Sequence, residues 1–372
     1  MLTPNNPHNT KGYTVDIAIT NPTSVKSTEG MIDKLSHAPI TITLEQIFTT
    51  DNLYKAYKDT RKSKRNKHRV FEFEKDLAKN IEDLKLSIIN ATYRPKPCRE
   101  FDIWCTAGQK IRHITAPDFM DNVAQFCLYN SIYPLYDKFL ISQTCGCRKG
   151  KGALFSANLT QTYIRQSPLD SYYLQTDIKK YYYNLDLKVL RLELARYIQD
   201  KRIIDIIMLW CGKTKGVNVG SLIAQFIGLI YLNHVDQFIK RVLKVKRYVR
   251  YVDDMIFIGV DYTQCRYILS NLISILSVFG LSLSKWKILP LRKGINFCGY
   301  RTKKHIRFVR KRVLKTFRKR LKSHNYRAIE SVLSMCSYSA NYSSLIRLLK
   351  IKNLNYPEYL NRRINKWQST HI

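Results

Sequence analysis

The segment Arg247-Tyr248-Val249-Arg250-Tyr251-Val252-Asp253-Asp254-Met255-Ile256-Phe257-Ile258-Gly259 constrains this chain more than any other, because two β-forming arms flank a pair of acids. Read as a hairpin, it places Asp253 and Asp254 at the turn. Asp is common at turns, where its carboxylate bonds the local backbone, so the pair alone has a purely structural explanation. This turn is poor in Gly and Asn, however, and its arms are apolar. Carboxylates pressed against a core edge without a neighbouring cation call for a metal ion.

A second acid stands in a similar setting. Tyr172-Tyr173-Leu174-Gln175-Thr176-Asp177-Ile178 reads as a β run ending on Asp177, before the helix-like start Lys179-Lys180-Tyr181-Tyr182-Tyr183. Asp177 could simply cap that helix. If it lies beside the 253–254 turn, three carboxylates supply hard oxygen ligands for two Mg²⁺ ions, with Mn²⁺ as a substitute, typically about 3.5–4 Å apart. Between the acids, Lys215-Gly216-Val217-Asn218-Val219-Gly220-Ser221 leads into the apolar run Leu222–Asn233. Its two glycines would let a backbone approach a nucleotide closely, although glycine turns before buried helices are widespread.

Composition names the partner class. Sixty-three Lys and Arg against 28 Asp and Glu leave a net charge of +35, interleaved with 25 Tyr, 15 Phe and 4 Trp. Such a field gathers polyanions and the rings offer stacking surfaces, so nucleic acid is expected rather than a membrane surface. The nine cysteines form no CxxC pair, the start lacks a basic-then-apolar leader, and no uninterrupted apolar stretch reaches 18 residues. A soluble, cytoplasmic protein is expected, without a zinc site or a disulfide framework.

Along the chain, residues 1–40 read as a loosely ordered N-terminal extension. Helical periodicity runs over 43–58, 71–89 and 123–139, with the basic run Arg61–Arg69 between the first two. Residues 100–114 alternate like a hairpin carrying Lys110 and Arg112, with Gly108 at its turn. Residues 144–152 form a glycine-punctuated basic loop containing Arg148, Lys149 and Lys151. Such basic runs are often only solvated.

In order and spacing these blocks resemble the palm of bacterial reverse transcriptases, the group that includes group II intron, retron, diversity-generating and phage-defence enzymes. Tyr251-Val252-Asp253-Asp254 is similar to the family's YxDD box, Asp177–Tyr182 to its first aspartate box, and Gly216–Asn233 to its glycine and SQ box. The likeness extends through Lys110–Ile114, Arg148–Gly152, Leu281–Lys287 and Asn296–Tyr300, covering roughly residues 45–300. It implies an α+β right-hand polymerase: fingers and palm, an antiparallel sheet with helices, over 41–300, and a helical thumb over 301–372.

Carried over by position, the resemblance implies that Asp177 and Asp253 ligate both metal ions, that the Ile178 carbonyl assists, and that Asp254 supports or ligates. Tyr182 would be the gate that excludes a 2′-hydroxyl, though by spacing alone it is equally an ordinary core aromatic. Arg112 and Lys110 would grip the triphosphate, Gln225 would contact the nascent pair or template, and Lys287 would lie near the pyrophosphate or primer end. Gly299 falls in the primer-grip hairpin. One departure concerns the SQ box, commonly Ser-Gln, which here reads Ala224-Gln225. The missing hydroxyl puts template handling and fidelity in question.

From Arg301 to Asn325 there are twelve Lys and Arg and no acid, with Val309, Val313, Phe317 and Leu321 at helical spacing. A solvated basic helix would look the same. Following a palm, it is expected to be a thumb helix whose Arg310, Lys311, Lys315 and Arg318 contact the duplex backbone, with further helices near 327–338 and 341–350. The implied activity is RNA-directed DNA synthesis from dNTPs on an RNA template, from a DNA or RNA primer. A dedicated noncoding RNA in antiphage defence is the expected setting, because only 72 residues follow Tyr300. The alternatives are a diversity-generating enzyme and a catalytically inactive RNA-binding palm. A second copy of the chain or an accessory protein is a further expected partner.

Overall fold

Two threonines start the first two helices of the computed structural model, which describes residues 38–105, 110–211, 215–352 and 354–369. Thr43 closes a capping box with Gln46 on α1 (Leu44–Ile47), and Thr49 caps α2 (Thr50–Arg61), so the helix expected over 43–58 is two. The next is also divided: α3 (His68–Lys75) and α4 (Leu77–Ile89) part at Asp76. Of the expected extension over 1–40, residues 1–37 lie outside the described residues.

The expected hairpin is β1 (Arg99–Cys105) paired antiparallel with β2 (Lys110–Ala116), and its turn at 106–109 lies outside the described residues. Helix α5 (Phe119–Tyr136), capped by Asp118, then leads through a 3₁₀ turn to β3 (Thr144–Cys145) and α6 (Ala153–Arg165). Strand β4 (Tyr172–Ile178), a 3₁₀ turn at Tyr181–Tyr183, α7 (Leu187–Ala195) and α8 (Lys201–Leu209) follow. Helix α9 (Leu222–Tyr231), capped by Ser221, continues into α10 (Asn233–Gln237) and a π turn. The run Leu222–Val242 is 21 residues long and apolar enough to cross a membrane, yet 89% of its apolar window is buried inside the protein. It is the core helix of the fold, which also explains its all-round apolar sequence.

Strands β5 (Tyr248–Tyr251) and β6 (Asp254–Val260), helix α11 (Tyr262–Val278) and strand β7 (Leu283–Pro290) complete a five-stranded sheet in the order β3-β5-β6-β4-β7. Apart from the parallel β3–β5 pair, its ladders are antiparallel. One face carries Tyr173, Val249, Ile256 and Ile258 into a core with Ile164 and Phe297. Alternation sends Leu174, Met255 and Phe257 to the other face, where they too are buried.

A three-stranded sheet comes next, from β8 (Ile295–Phe297), β9 (Tyr300–Thr302) and β10 (Arg307–Val309). It corrects the expectation of a helix beginning at 301. Gly299 and Cys298, at φ +88° and +47°, make the two-residue β8–β9 turn, and the positive φ at both positions suits the twist of a tight hairpin. The basic helix is α12 (Lys311–Lys322), followed by α13 (Tyr326–Cys336), α14 (Asn341–Lys352) and α15 (Glu358–Ser369). Phe317 and Leu321 pack with Ile329, Leu333 and Ile346 as the stripe requires, while Val309 reaches the same core from a strand.

Candidate active site

The acids meet through strand register. Tyr251 pairs with Asp254, Asp254 with Asp177, and Asp177 with Lys285, so one row of side chains crosses β5, β6, β4 and β7 on one face of the sheet. Burial pushes the Asp254 carboxyl up to about 7, and the charges of Asp253 and Asp177 add to this. The Ser284 hydroxyl donates to the Asp177 carboxylate and, at 3.1 Å, to the Asp177 carbonyl. Lys285 Nζ stands 3.8 Å from Asp177, but its side chain is 78% exposed, so it neutralises little of the acidic charge.

Asp253 occupies the turn itself. Its carbonyl accepts from the Ile178 N–H at 3.4 Å, which ties the turn to the end of β4. Its charge helps to raise the Tyr182 hydroxyl and the Cys147 thiol, in both of which burial is the largest cause. Among the described residues, no three His, Cys, Asp or Glu side chains converge on one point as a finished ligand set. The donor chemistry nevertheless fits a hard cation. Two carboxylates are neighbours on adjacent strands, one of them raised by burial and then by the other acidic charges, and a third, Asp253, stands one residue before Asp254.

Tyr182 lies in the 3₁₀ turn after β4, and a Cβ built on Gly228 of α9 would stand 3.0 Å from its hydroxyl oxygen. That hydroxyl hydrogen-bonds Cys147, while the Tyr181 hydroxyl donates to the Gly228 carbonyl at 2.8 Å. The glycines of the preceding loop approach protein rather than open space. A Cβ on Gly216 (φ +79°) would meet the Tyr183 carbonyl oxygen at 2.8 Å, and one on Gly220 would meet Ile114 at 2.8 Å. The expectation that they make room for a nucleotide is corrected: they seat the Tyr182 turn and the hairpin.

The other sequence candidates are spread around this row. A cleft of about 770 Å³ runs from Asp177 and Asp254 past Lys285 and Lys287 to Arg310 and Lys311. Burial lowers the Lys287 ammonium, and the charges of Arg310 and Lys285 lower it further. Cations so crowded favour a polyanion between them. Gln225 is the one exposed residue of α9. Arg112 is exposed on β2 opposite Ile103, and Lys110 pairs with Cys105. The hairpin joins the site through Thr115 N–H to the Val219 carbonyl, 2.9 Å, and Tyr183 hydroxyl to the His113 carbonyl, 3.3 Å. Lys315 and Arg318 are exposed on α12, and Gly299 packs near Met335.

Arg148 corrects an expectation. Its buried guanidinium binds Asp137 at 2.6 and 3.1 Å and donates to the carbonyls of Ile141 and Thr144, so it braces its own loop instead of a phosphate. Lys151 donates to the Ser142 carbonyl at 3.1 Å, and Lys149 remains exposed above the Tyr133 ring. Ala224 is 3% exposed on α9, beside the exposed Gln225. Ser284, Cys147 and Gly228 were missed in sequence because each matters only through a neighbour more than thirty residues away.

An acidic row on an antiparallel sheet, backed by helices and facing a cationic cleft, defines a polymerase palm with its fingers. Residues 106–302 match the family model of reverse transcriptase (RNA-dependent DNA polymerase), more than half of the chain, and the chain belongs to that family. No curated protein matches the sequence. Among solved structures, apo telomerase from Candida tropicalis, truncated from its C-terminal domain, is 13% identical with a TM-score of 0.45, over 60% of this chain and 59% of that one. Telomerase from Candida albicans in complex with the TWJ fragment of telomeric RNA is 13% identical with a TM-score of 0.44, over 74% of this chain and 59% of that one. The chain thus spans about three fifths of each telomerase chain.

Proposed function

We propose that this protein is an RNA-directed DNA polymerase whose reaction centre is the row formed by Asp177 and Asp254 with Asp253 at the adjoining turn. The observation that carries the reading is the pairing of Asp177 with Asp254 across β4 and β6, which joins acids 77 positions apart in sequence. Asp177, Asp253 and Asp254, with the Ile178 carbonyl, would hold two Mg²⁺ ions. When bound, these ions supply activation of a primer 3′-hydroxyl and neutralisation of charge on the departing pyrophosphate.

The chain's own groups do the positioning, which is most of what phosphoryl transfer asks of a protein. Ser284 orients the Asp177 carboxylate through its hydroxyl. Tyr182, seated on Gly228 and bonded to Cys147, stands where a sugar ring would pack and excludes a 2′-hydroxyl. Arg112 and Lys110 on the hairpin approach the triphosphate, Gln225 meets the templating pair, and Lys287 approaches the primer end or pyrophosphate. Gly299 lies in the turn along which the primer strand passes, and Lys149 and Lys151 contact template phosphates. Residues 41–300 act as fingers and palm. The helices from Lys311 onward act as a thumb, with Arg310, Lys311, Lys315 and Arg318 turned to the duplex.

The template in this reading is a dedicated noncoding RNA, and the setting is antiphage defence. The motif series resembling defence and retroelement enzymes supports it, whereas buried Ala224 adds nothing in either direction. Incorporation of labelled dNTPs on an RNA template, with Asp177→Asn and Asp254→Asn as controls, tests the activity. Metal-dependent extension lost in both variants is expected, and duplex binding without extension by the parent protein would sink the reading. Sequencing of RNA that copurifies with the protein tests the template: a mixture of cellular RNAs would remove the dedicated-template reading.

A further inference from the structure

Beneath the acidic turn lies a charged pair that the chemistry above does not use. Arg250 and Asp236 are each 0% exposed. Arg250 Nε lies 2.8 and 2.9 Å from the two Asp236 oxygens, and Nη2 lies 2.7 Å from Oδ2. Thr144 and Tyr248 hydroxyls donate to the same carboxylate at 2.6 and 2.7 Å. The third guanidinium nitrogen, Nη1, donates at 3.0 Å to the carbonyl of Val252, the residue before Asp253.

Val252 needs that bond. It is β-branched and sits at φ +58°, a left-handed conformation that costs about 1–3 kcal/mol and persists only where the surroundings impose it. Its N–H donates to the Cys145 carbonyl at 3.2 Å, and its Cγ2 would lie 2.8 Å from a Cβ on Gly146. Thus the peptide before Val252 is held by β3 and the peptide after it, which leads into Asp253, by Arg250. A buried ion pair is seldom retained for stability alone, since well-packed apolar replacements are often neutral or better. Here it is anchored in α10, which continues the helix carrying Gln225, and it ends on the turn carrying Asp253 and Asp254.

We propose that Arg250, fixed by Asp236, is a positioning residue that clamps the Val252 peptide and so sets the placement of the two acids that follow. The inference rests on the polymerase reading of Asp253 and Asp254. Lysine at 250 can keep the charge pair with Asp236 but lacks the fork that also reaches Val252. Tyr248→Phe removes a donor to Asp236 and no atom that touches the turn, so it reports on damage to the buried network alone.

The test compares the full-length parent, Arg250→Lys, Asp236→Asn and Tyr248→Phe for Tm, RNA–DNA duplex affinity, single-turnover dNTP incorporation and half-saturating Mg²⁺. Arg250→Lys is expected to bind duplex within about twofold of the parent while its incorporation rate falls roughly 30-fold and its Mg²⁺ requirement rises, as misplacement of reacting groups by about 1 Å can cost 10²-fold. Tyr248→Phe is expected to stay within about threefold in rate at a comparable loss of Tm. Should Arg250→Lys not fold, Asp236→Asn, which still accepts hydrogen bonds, is expected to show the same separation of rate from affinity. Incorporation by the folded clamp variant equal to the parent's, or a Tyr248→Phe loss as large as the clamp variant's, overturns the clamp. Absence of incorporation by the parent itself would instead remove the polymerase reading.

Discussion

The Tyr182 ring lies so close to Gly228 that a methyl group on the glycine would stand 3.0 Å from both the hydroxyl oxygen and Cε1. Helix α9 therefore sets the height of the ring above the sheet. Tyr182→Ala is expected to raise ribonucleotide over deoxyribonucleotide use by about 10- to 100-fold, the range for a lost pocket contact. Gly228→Ala should push the ring outward and lower kcat/KM for dNTPs without relaxing discrimination. Competitive incorporation of rNTPs and dNTPs reads both, and unchanged selectivity in Tyr182→Ala would end its role as gate.

Asp254 makes metal-free stability depend on pH. An unfolded Asp titrates near about 4, whereas burial beside Asp253 and Asp177 raises the folded value to about 7. The folded state then binds more protons across that interval, so stability is fullest below the unfolded value and falls as pH rises through about 7. With EDTA present, Asp254→Asn should show a flatter profile and be more stable than the parent at alkaline pH by about 1–3 kcal/mol. Urea unfolding across the pH range checks this, and parallel profiles for the two proteins would contradict it.

The basic face of α12 should be visible in salt dependence. Arg310, Lys311, Lys315 and Arg318 are exposed together, and each that meets a phosphate contributes about one unit to the slope of log K against log salt. Single alanine variants are expected to reduce the slope by about 1 and to weaken all sequences alike. Fluorescence anisotropy with a labelled RNA–DNA duplex measures it; slopes that do not change would move the duplex off this helix.

Docking of the same helix depends on its opposite side. Phe317 is fully buried against Ile329, Leu333 and Ile346, so Phe317→Ala should cost about 3–5 kcal/mol through lost burial and a cavity. Because the term is apolar, high salt should not restore the variant. Thermal unfolding checks it, and a loss below about 1 kcal/mol would mean that the helix is held mainly by other contacts.

Much of the active site could be read along the chain because its signals are local. A β run ending at Asp177 and two arms around 253–254 are period-two patterns, and Ser221 before Leu222 is a helix start. Local signals failed where a residue's use depends on a distant partner. Arg148 reads as a phosphate ligand until Asp137 is seen to hold it, and 301–309 reads as helical, although β9 pairs there with both β8 and β10. Lys285 and Ser284 joined the site only through the β4–β7 register.

The amino-acid order by itself determined the cationic character, the succession of acidic and glycine-bearing motifs, and the apolar stripe of α12, because charge and periodicity belong to short stretches of chain. Tertiary structure alone decided that Asp177 faces Asp254, that Gln225 is exposed on a buried helix, and that Arg250 turns beneath the acids to hold Val252. The physical reason is that register is a long-range choice. A slip of one residue by β4 against β6 would turn Asp177 to the face opposite Asp254, and packing on both sides of the sheet forbids it.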